Sequence, residues 1–146
     1  MPKLSLSLDL GENRLGSWFV RYQPPQGGQF PGQLTLTTHR LVFEFELVDA
    51  TARQIEALVT GPIDDVAVAA AFDLDVPHIH RADRRVCLVL PLGSLEGVVA
   101  GHLWFSNWIE VTMKDNGSIQ VFERGVRPGT PIVQALRNAR QMDQRL

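Results

Sequence analysis

The stretch "GQLTLTTHRLVFEF", Gly32 to Phe45, alternates apolar and polar positions on both sides of a short polar break. Leu34 and Leu36 alternate with Thr35 and Thr37; beyond the break, Leu41, Phe43 and Phe45 alternate with Val42 and Glu44. A period of two is the repeat of a strand, whose successive side chains point to opposite faces, and Thr, Val and Phe suit a pleated, half-buried surface. The break, Thr37-Thr38-His39-Arg40, is then a turn, and the whole stretch a β-hairpin.

The same repeat recurs along the chain. "KLSLSLDL" and "RLGSWFVRYQ" read as the first strands, followed by a loop at Pro24-Pro25-Gln26-Gly27-Gly28. "RVCLVLPLGSL" places Val86, Leu88 and Leu90 on one face and Cys87 and Val89 on the other, as in a strand covered on both sides. After "EGVVAGHLWF", the stretch "WIEVTMKD" alternates Ile109, Val111 and Met113 with Glu110, Thr112 and Lys114. Asp115-Asn116-Gly117 turns the chain into "SIQVFER", since Asn and Gly tolerate positive φ.

Helical spacing appears in two regions. Ala52, Ile55, Leu58 and Val59 fit one helix stopped by Gly61-Pro62. "DDVAVAAAFDLD" fits a second, capped by Asp64 or Asp65, or else a strand; "DLDVPHIHRADRR" reads as a loop or the approach to a strand. The last element opens with Thr130 as N-cap and Pro131 in the first turn, and Ile132, Ala135, Leu136, Ala139 and Met142 form its apolar stripe.

A length of 146 residues suits one domain spanning 1–146. The net charge of −2 conceals an acidic insertion: residues 46–85 hold eight acidic residues against four basic ones. No region has the basic footprint of a nucleic-acid binder, so nucleic acid is not expected as a partner. Cys87 is the sole cysteine, which forbids an internal disulfide and suits a reducing compartment. The longest apolar run, "VAVAAAF", falls far short of the roughly 18 residues of a membrane span. The N-terminal alternation also lacks the continuous apolar core of a signal peptide. The expected location is the cytoplasm.

Gly32, Leu34, Leu36, Thr37, Arg40, Leu41 and Phe43, with Pro91, Leu92, Asp115, Gly117 and Phe122 further on, resemble the motif positions of the GRAM domain. That family is a branch of the pleckstrin-homology-like (PH-like) superfold. The resemblance spans roughly residues 15–140, is structural rather than catalytic, and looks like a stand-alone domain of bacterial type. It implies a mainly β fold: a seven-stranded β-sandwich or partly open barrel capped by a C-terminal helix, here with a partly helical insertion at 46–85. Phosphoinositide-binding relatives in the superfold use Lys and Arg in the loop between the first two strands. Here that loop is "QPPQGGQFPG", without a charge, so headgroup recognition there is not expected.

The chain is therefore expected to be a non-catalytic binding or assembly module without a cofactor. Its expected partner is a protein or a second copy of itself, with peripheral lipid binding as the alternative. Self-association would use the helix bearing Ile55 and Leu58, whose apolar stripe needs a surface to cover it. "HLWFSNW" supplies Trp104 and Trp108 as candidate contact residues, while Phe105 is expected to fill the end of the barrel. Arg124 and Arg127, together with Arg137 and Arg140, could converge into a basic patch. An exposed Trp–Arg surface would favour lipid. A metal-dependent enzyme is a third reading, since Asp73, Asp75, His78 and His80 offer carboxylate and imidazole donors. No Gly-x-Ser-x-Gly, phosphate-cradling loop or Cys-x-x-Cys accompanies them.

Overall fold

The computed structural model describes residues 7–145. Strands β1 (Arg14–Gln23), β2 (Phe30–Thr37) and β3 (Arg40–Glu46) lead into helices α1 (Asp49–Leu58) and α2 (Asp65–Phe72). A 3-10 turn at Val76–His78, strands β4 (Ile79–Ala82) and β5 (Arg85–Pro91), and a second 3-10 turn at Leu92–Ser94 follow. Strands β6 (Leu95–Leu103), β7 (Ser106–Met113) and β8 (Ile119–Gly125) then precede helix α3 (Thr130–Arg145). Among the described residues the strands form one antiparallel sheet in the order β4-β5-β3-β2-β1-β8-β7-β6. The fold is thus mainly β with a C-terminal helix, and it has eight strands where seven were expected. The additional strand, β4, comes from the acidic segment and pairs His80 with Cys87 along β5.

The hairpin of β2 and β3 forms as its alternation predicts, with Leu34 opposite Phe43 and Leu36 opposite Leu41. At its far end a Cβ on Gly32 would sit 2.3 Å from the Glu44 carbonyl oxygen, so only glycine lets the two strands approach this closely. Tyr22, Phe30, Phe43, Phe45, Phe72 and Phe122 are all buried and meet in the core, with ring centroids 5.1–6.3 Å apart. Edge-on and tilted packing of this kind suits the ring quadrupoles. The Tyr22 hydroxyl donates to the Gln120 side chain, whose Nε2 donates to the Phe72 carbonyl at 3.2 Å. The polar groups inside the aromatic core are therefore paired.

The segment between β3 and β5 packs on its own chain. Ile55 is fully buried in the main core, Leu58 packs against that core from α1, and Val68 and Phe72 enter it from α2. Asp64 caps α2 by accepting from the Ala67 N–H at 2.8 Å. The docking of α1 takes Ile55 out of the surface expected to meet a second copy, whereas Leu58 stays only half-buried. The sheet's own core covers Ile55, which therefore offers no surface to another chain.

Helix α3 buries Ile132, Val133, Leu136 and Ala139 against the sheet. Met142, expected in the same stripe, is exposed. The first helical bonds run from the Ile132 and Val133 N–H groups to the Gly129 carbonyl, so Gly129 rather than Thr130 takes the capping position. At the N-terminus the expected strand "KLSLSLDL" lies partly outside the described residues; from Ser7 onward the chain is irregular and turns at Leu10–Gly11. No helix among the described residues is long and apolar enough to cross a membrane.

Candidate functional site

Strands β6 and β7 are joined by a two-residue turn, Trp104-Phe105, with Leu103 paired to Ser106. Trp104 has φ of +56°, a left-handed conformation that costs an ordinary residue roughly 1–2 kcal/mol and that glycine usually fills in tight hairpins. Both turn side chains are 80% exposed. This corrects the expectation that Phe105 fills the barrel end, and it resolves Trp104 as a surface residue. The neck of the hairpin is pinned, with His102 Nδ1 and Asn107 Oδ1 2.8 Å apart and Asn107 Nδ2 donating to the Gly125 carbonyl at 3.1 Å. The two rings thus stand at the end of a braced strand pair.

Register brings further apolar surface beside this tip. Asn107 pairs with Gly125 on β8, and the next residue, Val126, is exposed. Arg21 on β1 pairs with Glu123, which sets the exposed Phe19 alongside the same end of β8. With Leu103, five exposed apolar side chains share one corner of the sheet. A shallow cavity of about 340 Å³ beside it is lined by Phe19, Arg21, Pro31, Glu123, Arg124 and Arg127. Arg124 donates to the Pro128 carbonyl at 2.6 Å, whereas Arg127 is exposed. Desolvation, and then the nearby charge of Arg127, lower the Arg124 pKa, as expected where positive charge is not fully compensated.

Other candidate residues go elsewhere. Trp108 is half-buried and lies flat across β6, so close that a Cβ on Gly101 would come within 2.2 Å of its ring; it braces the hairpin. Arg137 and Arg140 do not join Arg124 and Arg127. They reach from α3 to carbonyl oxygens of β6: Arg137 to Val98 at 3.3 Å, and Arg140 to Leu95 at 2.9 Å and Glu96 at 3.3 Å. The uncharged loop between β1 and β2 is tied to α1, with Gln54 Nε2 donating to the Gln29 carbonyl at 2.7 Å.

The histidine cluster is rearranged relative to the sequence reading. His78 ends the 3-10 turn and is buried, whereas His80 lies in β4 and is exposed. Asp73 caps α2 in a left-handed conformation. His78 and Asp75 do come together, and their third partner is Asp115 from the turn between β7 and β8. In the sequence Asp115 reads only as a turn residue, because a contact across 37 positions leaves no local spacing to read. A second acidic–imidazole group, Asp9, Glu12 and His39, lies beside the turn between β2 and β3. Glu12 there is already held by Arg40.

No family profile and no characterised protein matches the chain by sequence. Its fold is similar to the Vps36 N-terminal PH domain, with a TM-score of 0.58 and 15% identity over 96% of this chain and 87% of that one. It is also similar to the C-terminal domain of an unknown protein from Leishmania infantum, with a TM-score of 0.55 and 14% identity over 90% of this chain and 87% of that one. The fold is PH-like.

Proposed function

We propose that this chain is a non-catalytic binding module, a domain akin to the GRAM branch of the PH-like fold, that docks on anionic membrane surfaces through the Trp104–Phe105 corner. The observation that carries the reading is the tip itself. A tryptophan occupies a left-handed turn position where glycine costs less, and it stands 80% exposed beside an equally exposed phenylalanine. A braced, convex aromatic tip suits the interfacial region of a bilayer, where amphipathic rings settle. Arg127, Arg124 and Arg21 behind it add attraction to anionic lipid. The uncharged loop between β1 and β2 argues for a surface-charge mode rather than capture of one headgroup. The GRAM assignment rests on the hairpin motif, whose Gly32 allows the close strand contact. A non-catalytic role rests on the lack of a nucleophile–base motif in the sequence.

The test is sedimentation of the full chain with vesicles of phosphatidylcholine alone or mixed with phosphatidylserine. Binding is expected to the mixed vesicles, to weaken with salt, and to fall at least about tenfold in Trp104→Ser/Phe105→Ser. Arg127→Ala should weaken it by a smaller factor. No binding to mixed vesicles, or binding indifferent to the double substitution, overturns the membrane reading and returns the corner to a protein partner.

A further inference from the structure

At the other end of β7, on the order of 25 Å from the aromatic tip, three side chains converge that the docking reading does not use. Ligand atoms of Asp75, His78 and Asp115 all lie within 4.8 Å of one another. The His78 side chain is only 9% exposed, and its Nδ1 lies 2.9 Å from the Val89 carbonyl oxygen. A carbonyl can only accept, so Nδ1 carries the proton there and Nε2 of the neutral ring presents its lone pair. That lone pair faces the Asp115 carboxylate, with Nε2 and Oδ2 3.5 Å apart.

This separation is long for a charge-assisted hydrogen bond, which closes to about 2.7–2.9 Å. It does match the edge of a small coordination tetrahedron. Bonds of about 2.0–2.2 Å place neighbouring ligand atoms about 3.3–3.6 Å apart. The carboxylates are placed but otherwise uncommitted. Asp75 immediately precedes the 3-10 turn yet makes no side-chain capping bond. Asp115 is steadied by its neighbour, since Asn116 Nδ2 donates to the Asp73 carbonyl at 3.1 Å and ties the turn between β7 and β8 to the end of α2.

We propose that Asp75, His78 and Asp115 form a binding site for a borderline divalent cation of the zinc class. One imidazole nitrogen and two carboxylates suit zinc or cobalt better than calcium or magnesium, which prefer all-oxygen shells. The Nδ1–H bond to a backbone carbonyl is the orientation that a metal-bound imidazole normally has. Both carboxylates are exposed, which leaves water free to complete the shell. The cation would join the segment bearing Asp75 and His78 to the turn between β7 and β8, two parts of the chain with no hydrogen-bonded strand pairing between them. The second acidic–imidazole group does not qualify. Arg40 Nε and Nη2 each lie 2.9 Å from a Glu12 oxygen, so a cation there would have to displace a guanidinium.

Chelator-treated full-length chain titrated with Zn²⁺, with Co²⁺ as the spectroscopic probe, decides the matter. One equivalent should saturate binding, raise the thermal midpoint and give visible Co²⁺ absorption. Asp115→Asn and Asp75→Asn, both at exposed positions, should stay folded and lower affinity by at least about tenfold each. His78→Gln should abolish binding, and His39→Gln should leave it unchanged. No one-equivalent Co²⁺ absorption, or binding of which Asp115→Asn and Asp75→Asn keep the full strength, overturns the proposal.

Discussion

At the turn between β2 and β3 polar side chains face inward; at the turn between β6 and β7 apolar side chains face outward. In the first, Thr37 Oγ1 accepts from the His39 and Arg40 N–H groups at 3.1 and 3.0 Å and donates to Glu12. The Glu12 side chain is fully buried and is gripped by Arg40 through two bonds of 2.9 Å. In the second, no side chain of Trp104 or Phe105 is spent on holding the turn, and the backbone takes an unfavourable angle to present them. The first turn is built to last, and its charged groups are taken up by one another and by nearby backbone, Arg40 also donating to the Ser7 carbonyl at 2.8 Å and Glu12 accepting from the Asp9 N–H at 2.8 Å. The second accepts strain and exposure, which is the arrangement expected where a surface is kept for contact.

The largest effect should come from breaking the inward turn. Arg40→Ala leaves a buried carboxylate without its cation and is expected to cost about 3–5 kcal/mol, read as a lower denaturation midpoint. An unchanged midpoint would show that the two turns are energetically alike. Acid titration should come next. Burial by itself would raise the Glu12 pKa, but the bonds from Arg40 and Thr37 outweigh it and hold the carboxyl at about 2, against an ordinary 4.5. The folded pKa is depressed, so its contribution is complete above about pH 4.5 and is lost as pH falls toward 2. It amounts to about 3 kcal/mol, and the loss should be absent from Glu12→Gln. The smallest effect belongs to the outward turn. Trp104→Gly relieves the backbone strain and adds chain entropy, so stability should move by no more than about 1 kcal/mol while vesicle binding drops. A larger loss of stability would make Trp104 a structural residue and erase the contrast.

The hairpin, the run from β5 to β8 and the final helix were legible because each rests on a local repeat, of two or of 3.6 residues, that burial then rewards. Strand β4 was not, since four residues reading Ile-His-Arg-Ala carry almost no alternation and become a strand only by pairing with β5. The fate of Ile55 was half legible: the stripe was visible, but which surface covers it depends on the whole sheet. Trp104 was legible as a candidate contact residue, but Phe105 looks like any core aromatic in sequence, and nothing local announces a turn at the two rings without Gly or Asn. Asp115 was hidden for the opposite reason. It sits in so good a turn signal that a second role at a distant histidine leaves no trace.

Arg137 and Arg140 have a further consequence. Among the described residues the sheet does not close on itself, and β6 is its last strand, with a backbone that could template the addition of another chain. Two guanidinium groups from α3 already occupy the carbonyl oxygens of Leu95, Glu96 and Val98. An incoming strand would have to strip off those charged donors before its own N–H groups could bond. The helix that covers the core thus also guards the first half of this edge against runaway sheet growth, and it does so with side chains that composition alone would count as solvent-facing charge.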